Sequence, residues 1–170
     1  RKAAKVICRQ GMFPFQGSDT AVNIIKRVVK SELELDLICA FSDAPSQTPE
    51  QLMTTSGFKE HKIETLAKGL AKQGLIFNQP NSKGIMIYRL LPLVMIGLME
   101  YKFMTPLSGN DEERELAELF ETLLEELRVN VQKNYKELSP HFAKAPALDR
   151  TIPNKLLKDG GKIRAIKDDK

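Results

Sequence analysis

Cysteine, tryptophan and long apolar runs are scarce or absent in this 170-residue chain. Its two cysteines, Cys8 and Cys39, lie far apart, and there is no tryptophan. Neither cysteine belongs to a CxxC pair, and lone thiols are typical of a reducing, cytoplasmic compartment rather than of a disulfide framework. The longest apolar run, residues 90–99, is too short to cross a bilayer and contains Pro92. We therefore expect a cytoplasmic protein that does not enter a membrane.

Catalytic and cofactor-binding motifs are also missing. His61 and His141 stand alone, without a second histidine or a cysteine at the spacing that zinc sites use. There is no GxGxxG or P-loop pattern and no Ser-His-Asp arrangement, and no base is positioned to activate either thiol. We therefore expect a protein that is not an enzyme and that binds no metal or cofactor through this chain.

Charge is modest overall and uneven along the chain. The formal net charge is +4 at pH 7. Residues 1–110 carry 14 basic and nine acidic side chains, whereas residues 111–127 carry eight acidic side chains and a single arginine. A basic field over the whole protein is therefore absent, and any contact with nucleic acid has to be local.

Residues 48–91 have the sequence signals of a helix-turn-helix followed by a β-hairpin. TPE at residues 48–50 offers an N-cap, a proline at the first helical position and an acidic first turn, and Gly57 predicts the turn that ends this helix. A second helix over residues 58–73 has apolar residues at helical spacing, and two extended runs around a PNSKG turn follow it. This order predicts a winged-helix domain with its wing at residues 80–84.

The flanking segments complete the predicted architecture. Residues 93–104 are apolar on all sides, which predicts a buried helix, and residues 111–138 predict a long amphipathic one. The fold class we expect is mostly α with a small β-hairpin. It comprises an N-terminal segment with a helix (1–30), a winged helix-turn-helix core (31–104), a long C-terminal helix (105–140) and an extended or disordered tail (141–170).

One face of the second helix is a candidate for contact with DNA or a partner protein. Opposite its apolar stripe, this face carries polar and basic side chains, and the wing adds a lysine: His61, Thr65, Lys68, Lys72 and Lys83. In DNA-binding winged helices this face enters the major groove and the wing touches the backbone. The alternative is a solvated face, which Glu60, Glu64 and the lack of arginine on this helix favour.

The long C-terminal helix is a candidate for self-association. Its apolar stripe includes Leu119, Phe120, Leu123 and Leu127. A small core does not obviously cover so long a stripe, and large exposed apolar patches rarely persist on monomers. We therefore predict a homodimer with these four residues at its centre. The alternative is that the helix folds back on residues 93–104 within one monomer.

A longer pattern runs from the predicted hairpin into the apolar segment. It consists of YRLLP at residues 88–92, Gly97 and EYKFM at residues 100–104, and RTIP follows at residues 150–153. The pattern resembles the N-terminal region of 4Fe–4S dicluster ferredoxin-type proteins of anaerobic bacteria and archaea. There, YRLLPF-x-x-G-x-x-E-x-x-x-M follows the wing, and R-x-I-P leads toward the clusters.

The resemblance implies a non-catalytic module of an electron-transfer protein. Such a module would position or dock the ferredoxin-like cluster domain, or a redox partner protein. The family binds its two clusters through closely spaced cysteines after R-x-I-P. With only Cys8 and Cys39, this chain cannot hold them. Either the 4Fe–4S clusters belong to a downstream domain, or this homologue lacks them. The alternative function is a winged-helix transcriptional regulator that binds DNA.

Overall fold

The computed structural model describes residues 1–10, 15 and 17–144. This part of the chain is mostly helical with one small antiparallel sheet, as the fold class predicts. It forms two compact units, Arg1–Asn130 and Val131–Lys170, the second described as far as residue 144. The helices are α1 (Lys2–Cys8), α2 (Asp19–Val28), α3 (Glu32–Cys39), α4 (Pro49–Ser56), α5 (Glu60–Lys72), α6 (Leu98–Phe103), α7 (Asp111–Lys133) and α8 (Tyr135–Lys144). The strands are β1 (Ser46–Gln47), β2 (Ile76–Pro80) and β3 (Met86–Leu90).

Local hydrogen bonds and a glycine turn fix where α4 begins and ends, and therefore where α5 follows it. The Thr48 hydroxyl accepts a hydrogen bond from the Gln51 backbone N–H, and the Gln51 side chain accepts one from the Thr48 N–H. Gly57 ends α4 in the left-handed conformation at φ 72°, which glycine adopts without steric penalty. Helix α5 then buries Ile63, Ala67 and Leu70, as its spacing predicts.

The sheet has one strand more than the predicted hairpin. Its order is β1-β3-β2, with Phe77 opposite Arg89 in the hairpin and Ser46 opposite Arg89 on the other side of β3. Between β1 and α3, the buried Gln47 donates its amide hydrogens to the carbonyls of Ala40 and Ala44. The additional strand is only two residues long, so it leaves no alternation in the sequence that would reveal it.

Three other expectations need correction. The N-terminal segment contains two helices, α1 and α2, where one was predicted. Residues 93–97 are a bent loop, so the predicted helix over 93–104 is reduced to α6. The long helix ends at Lys133 and a separate α8 contains Pro140, so the tail predicted from residue 141 is helical to residue 144. Residues 145–170, with the RTIP stretch, lie outside the described residues.

Helix α7 covers the core of the first unit. Leu116, Phe120 and Leu123 are buried there, and the Phe120 ring meets Phe103 edge-on with centroids 5.8 Å apart. The Thr20 hydroxyl donates a 2.6 Å hydrogen bond to a Glu126 carboxylate oxygen, so α7 also lies along α2. No helix in the described part of the chain has both the length and the apolar character needed to cross a bilayer.

Candidate functional site

Residues 92–97 form a tight loop that the Glu100 side chain holds closed; we call it the clamped loop. The Glu100 carboxylate accepts hydrogen bonds from the backbone N–H of Met95 at 2.9 Å and of Gly97 at 3.0 Å. The Pro92 carbonyl accepts a further one from the Leu98 N–H at 3.0 Å. A carboxylate that accepts backbone N–H groups forms hydrogen bonds stronger than those between neutral groups. The loop is therefore fixed by specific bonds.

Position 97 requires glycine because the backbone there passes very close to the backbone carbonyl of Pro92. A Cβ atom at this position would lie 2.0 Å from the carbonyl oxygen of Pro92 and 2.8 Å from its carbonyl carbon. Both atoms are backbone, so no side-chain rotation could make room. Only glycine allows the loop to close in this form.

The clamped loop holds two apolar residues in an unfavourable backbone conformation. Met95 has φ 62° and Ile96 has φ 67°, both in the left-handed region. For residues other than glycine this region costs roughly 1–2 kcal/mol each, and it is rarer still for a β-branched residue. Ile96 is nonetheless 70% exposed and Met95 40% exposed. Strain of this kind persists where the surroundings impose it, and it is concentrated at functional sites.

Buried anchors on both sides impose this conformation. Leu93 before the strained pair and Leu98 after it are fully buried in the core. Val94, the residue after Leu93, is also buried, so within this segment only Met95 and Ile96 are exposed. Further exposed apolar side chains follow in the next residues: Tyr101, Met104 and Leu107.

The residues that carry the family resemblance come together in this loop. Pro92, Gly97 and Glu100 make its contacts, and YRLLP contributes the end of β3. Met95 and Ile96 are not among the predicted site residues, because the composition of the whole apolar run predicts a helix. The signal that could have found them is a proline, a glycine and then a glutamate three residues later within that run.

The predicted DNA or partner face is exposed. His61, Thr65, Lys68 and Lys72 are solvent-accessible on α5, and Lys83 is accessible in the β2–β3 turn. The Thr65 hydroxyl donates to the His61 carbonyl at 2.9 Å, so it is already partly engaged. Asn81 Oδ1 accepts the Lys83 backbone N–H at 2.9 Å, which orders the turn.

Acidic residues on α5 reduce the positive potential of this face. Glu60 and Glu64 are exposed on the same helix. The pKa of the Tyr88 hydroxyl on β3 is raised mainly by burial, and the negative charges of Glu64 and Glu60 raise it further. A phosphate approaching α5 would therefore meet both signs of charge.

The residues predicted to centre a dimer lie against the chain's own core. Phe120 is 2% exposed and Leu123 is fully buried, and Leu119 and Leu127 are half-buried against the same core. Phe120 and Leu123 therefore offer no surface to a second copy in this conformation, which corrects their placement at a dimer centre. The physical reason is the alternative considered above, in which the helix folds back within one monomer.

The thiols do not have the character of cluster ligands. Burial, and then the charge of Glu126, raises the pKa of Cys8 to about 12. Burial also raises the pKa of Cys39, although Lys2 opposes this. Iron–sulfur clusters are bound by thiolates, usually four, and this chain contains two cysteines. The chain's residues therefore do not fit a 4Fe–4S cluster, and no group of three or more His, Cys, Asp or Glu able to hold a metal occurs within the described ranges.

Comparison with family models, curated proteins and solved structures gives no match to this chain. The site must therefore be interpreted from its own geometry and from the motif resemblance.

Proposed function

We propose that this chain is a non-catalytic docking module of a 4Fe–4S ferredoxin-type electron-transfer protein in the cytoplasm. It would position the cluster domain, or a redox partner protein, against a surface that includes the clamped loop. The observation that carries the proposal is that Pro92, Gly97 and Glu100, which carry the resemblance, also build the loop. An apolar, strained and solvent-exposed loop is typical of a binding surface.

We further propose that residues 32–90 form a winged helix-turn-helix. The element order α3-β1-α4-α5-β2-β3, the sheet order β1-β3-β2 and the glycine turn at Gly57 all support this assignment. In such a scaffold α5 is the recognition helix and the β2–β3 turn is the wing. The fold alone does not choose between DNA and protein as the partner, so the choice depends on the surface chemistry.

The surface chemistry supports a protein partner over DNA. Ile96, with 70% of its surface exposed, has no role in a phosphate interface but is suited to the apolar centre of a protein interface. The lysines on α5 and in the wing would then lie at a polar rim, where charge guides encounter more than it adds affinity. They fit a partner with an acidic surface.

Binding to a purified two-cluster [4Fe–4S] ferredoxin, measured anaerobically by calorimetry, tests the proposal. We expect binding by the wild-type chain and a loss of roughly tenfold or more in affinity for Ile96→Ser, because an apolar anchor at an interface centre contributes more than 1 kcal/mol. Ile85→Ser is the matched control, since Ile85 is 44% exposed but lies in the β2–β3 turn. Absence of wild-type binding, or equal loss in both variants, would count against the proposal. Paired CxxCxxCxxxCP motifs encoded after Lys170 would support it independently.

The second candidate is a DNA-binding transcriptional regulator. Lys68, Lys72 and Lys83 favour it, because all three are exposed and none forms an ion pair among the described residues. Phosphate contacts would make binding fall steeply with salt, with a slope of about −0.9 per contact. Gel shifts with genomic fragments at two salt concentrations test this, with Lys68→Gln/Lys72→Gln expected to flatten the slope. No retardation at low salt would reject the DNA candidate.

A further inference from the structure

A cavity of about 470 Å³ opens between the end of α2, the residue after α5, helix α6 and the first turns of α7. This volume lies within the roughly 300–1,000 Å³ of small-molecule sites. One part of its wall is apolar, with Val28, Phe103, Leu107 and Leu116. The other part is charged, and its cations are Arg27, Lys30 and Lys102. This combination suits a ligand that has both an apolar body and a negative group.

Three other charged side chains line the cavity, namely one cation and the two carboxylates Glu112 and Glu113. Arg27 forms an ion pair with Glu115. The Glu113 carboxylate accepts the backbone N–H groups of Ser108 at 3.3 Å and Gly109 at 2.6 Å, so it caps the start of α7. Glu112 is exposed on the same first turn. The unpaired cationic charge of the cavity is therefore supplied by two lysines.

Lys30 and Lys102 are two cations without a carboxylate partner. Neither forms an ion pair among the residues that the structure describes. Lys102 Nζ donates one hydrogen bond, of 2.8 Å, to Gln73 Oε1, and an ammonium group has three hydrogens to donate. Burial, and then the charge of Lys30, lowers the pKa of Lys102. A half-buried cation beside a second cation is unfavourable unless an anion compensates it.

We propose that this cavity binds a small organic anion, whose carboxylate, sulfonate or phosphate group lies between Lys30 and Lys102. The apolar body of the ligand packs against Phe103 and Leu107. The site is separate from the proposed docking function, because neither lysine belongs to the clamped loop.

Fluorescence titration with 8-anilinonaphthalene-1-sulfonate tests the site in the full chain. We expect saturable binding of one dye molecule, displaced by inorganic phosphate. Lys30→Gln and Lys102→Gln should each weaken binding roughly tenfold, the loss expected for one hydrogen bond to a charged group. Lys26→Gln removes the same charge from α2 outside this cavity and should leave binding unchanged. N-phenyl-1-naphthylamine, which lacks the sulfonate, should not distinguish these variants.

The dye could instead occupy the clamped loop, so Ile96→Ser is titrated in parallel. Retained binding in Ile96→Ser together with loss in both lysine variants supports the cavity. Unchanged binding in Lys30→Gln and Lys102→Gln, or loss in Ile96→Ser alone, overturns it. Lys30 is exposed, so Lys30→Gln keeps the test valid even if Lys102→Gln fails to fold. Ferredoxin binding by Lys30→Gln should equal that of wild type, which separates failure of this site from failure of the docking function.

Discussion

The backbone at Gly97 passes so close to Pro92 that a Cβ atom would lie 2.0 Å from the proline carbonyl oxygen. This contact closes the clamped loop, and Glu100 then accepts its backbone N–H groups. These contacts hold the loop in a compact form that leaves Ile96 in solvent.

Gly97→Ala should destabilise the protein by about 1–3 kcal/mol, the range for overpacking a tight site. The added methyl group meets backbone atoms that cannot rotate away. Gly84→Ala is the control, because Gly84 has φ +77° but open space around it, so about 1 kcal/mol is expected from the backbone alone. Urea unfolding measures both. A Gly97→Ala effect no larger than that of Gly84→Ala would contradict the close approach.

Ile96→Gly should stabilise the fold by roughly 0.5–1 kcal/mol while it weakens the proposed docking by roughly tenfold or more. Glycine relieves the left-handed strain at φ 67°, and part of this gain is offset by the greater freedom of the unfolded chain. Ile85 has no positive φ, so Ile85→Gly should destabilise instead. Urea unfolding of the two variants decides the sign. A destabilised Ile96→Gly would mean that the conformation is not strained.

Leu123→Ala should destabilise the protein by about 2–4 kcal/mol, because it removes a fully buried side chain from the core. Leu124→Ala is the matched control, since its neighbour Leu124 is 44% exposed. Sedimentation at micromolar concentration shows in parallel whether a homodimer forms. If the Leu123→Glu variant stays folded and only its oligomeric mass changes, Leu123 lies at an interface between two copies of the chain and not in the core.

Cys8 should remain protonated in the folded chain up to high pH. Its contribution to the stability of the fold should decrease as the pH rises above the ordinary thiol pKa of 9.0. Its pKa in the folded state, about 12, lies above its ordinary value of 9.0. The folded chain therefore keeps a proton that the unfolded chain loses, so this contribution is complete below pH 9 and is lost as the pH rises toward 12. Thermal unfolding of wild type and Cys8→Ala across pH 8–10.5 should show the wild type losing its advantage above pH 9. Parallel pH profiles would contradict this.

Thiol labelling is an independent test of the burial of Cys8. At pH 8, a thiol reagent should modify Cys39 slowly and Cys8 only after denaturation, because Cys8 is fully buried and Cys39 is not. The Cys39→Ser variant should show no labelling in its native state. Rapid labelling of that variant would show that Cys8 is accessible.

Local chemistry made part of the fold predictable. The Thr48–Gln51 capping pair, the Gly57 turn and the spacing of Ile63 and Leu70 each act within a few residues, so sequence alone indicates them. Strand β1 was not predictable in this way, because two residues acquire strand geometry only by pairing with β3.

The site was harder to predict than the fold. The run from Leu93 to Met104 has helical composition, but the close approach of the Gly97 backbone to the Pro92 carbonyl, within one short loop, breaks the helix. Hydrophobic spacing does not report such a contact. The same limit applies to Phe120 and Leu123. Their spacing predicts an apolar stripe on the helix, but only the packing of the folded chain decides whether this stripe faces the chain's own core or a second chain.

The most direct test of the proposed docking function uses the paramagnetism of the iron–sulfur clusters in the proposed partner. Methyl-labelled chain is titrated with a two-cluster [4Fe–4S] ferredoxin, and line broadening is followed by NMR. We expect the Met95 and Ile96 methyl signals to broaden first, while those of the buried Ile63 and of Ile85 in the β2–β3 turn remain sharp. Broadening confined to Ile85, or no broadening at any methyl group, would contradict the claim that the clamped loop is the docking surface.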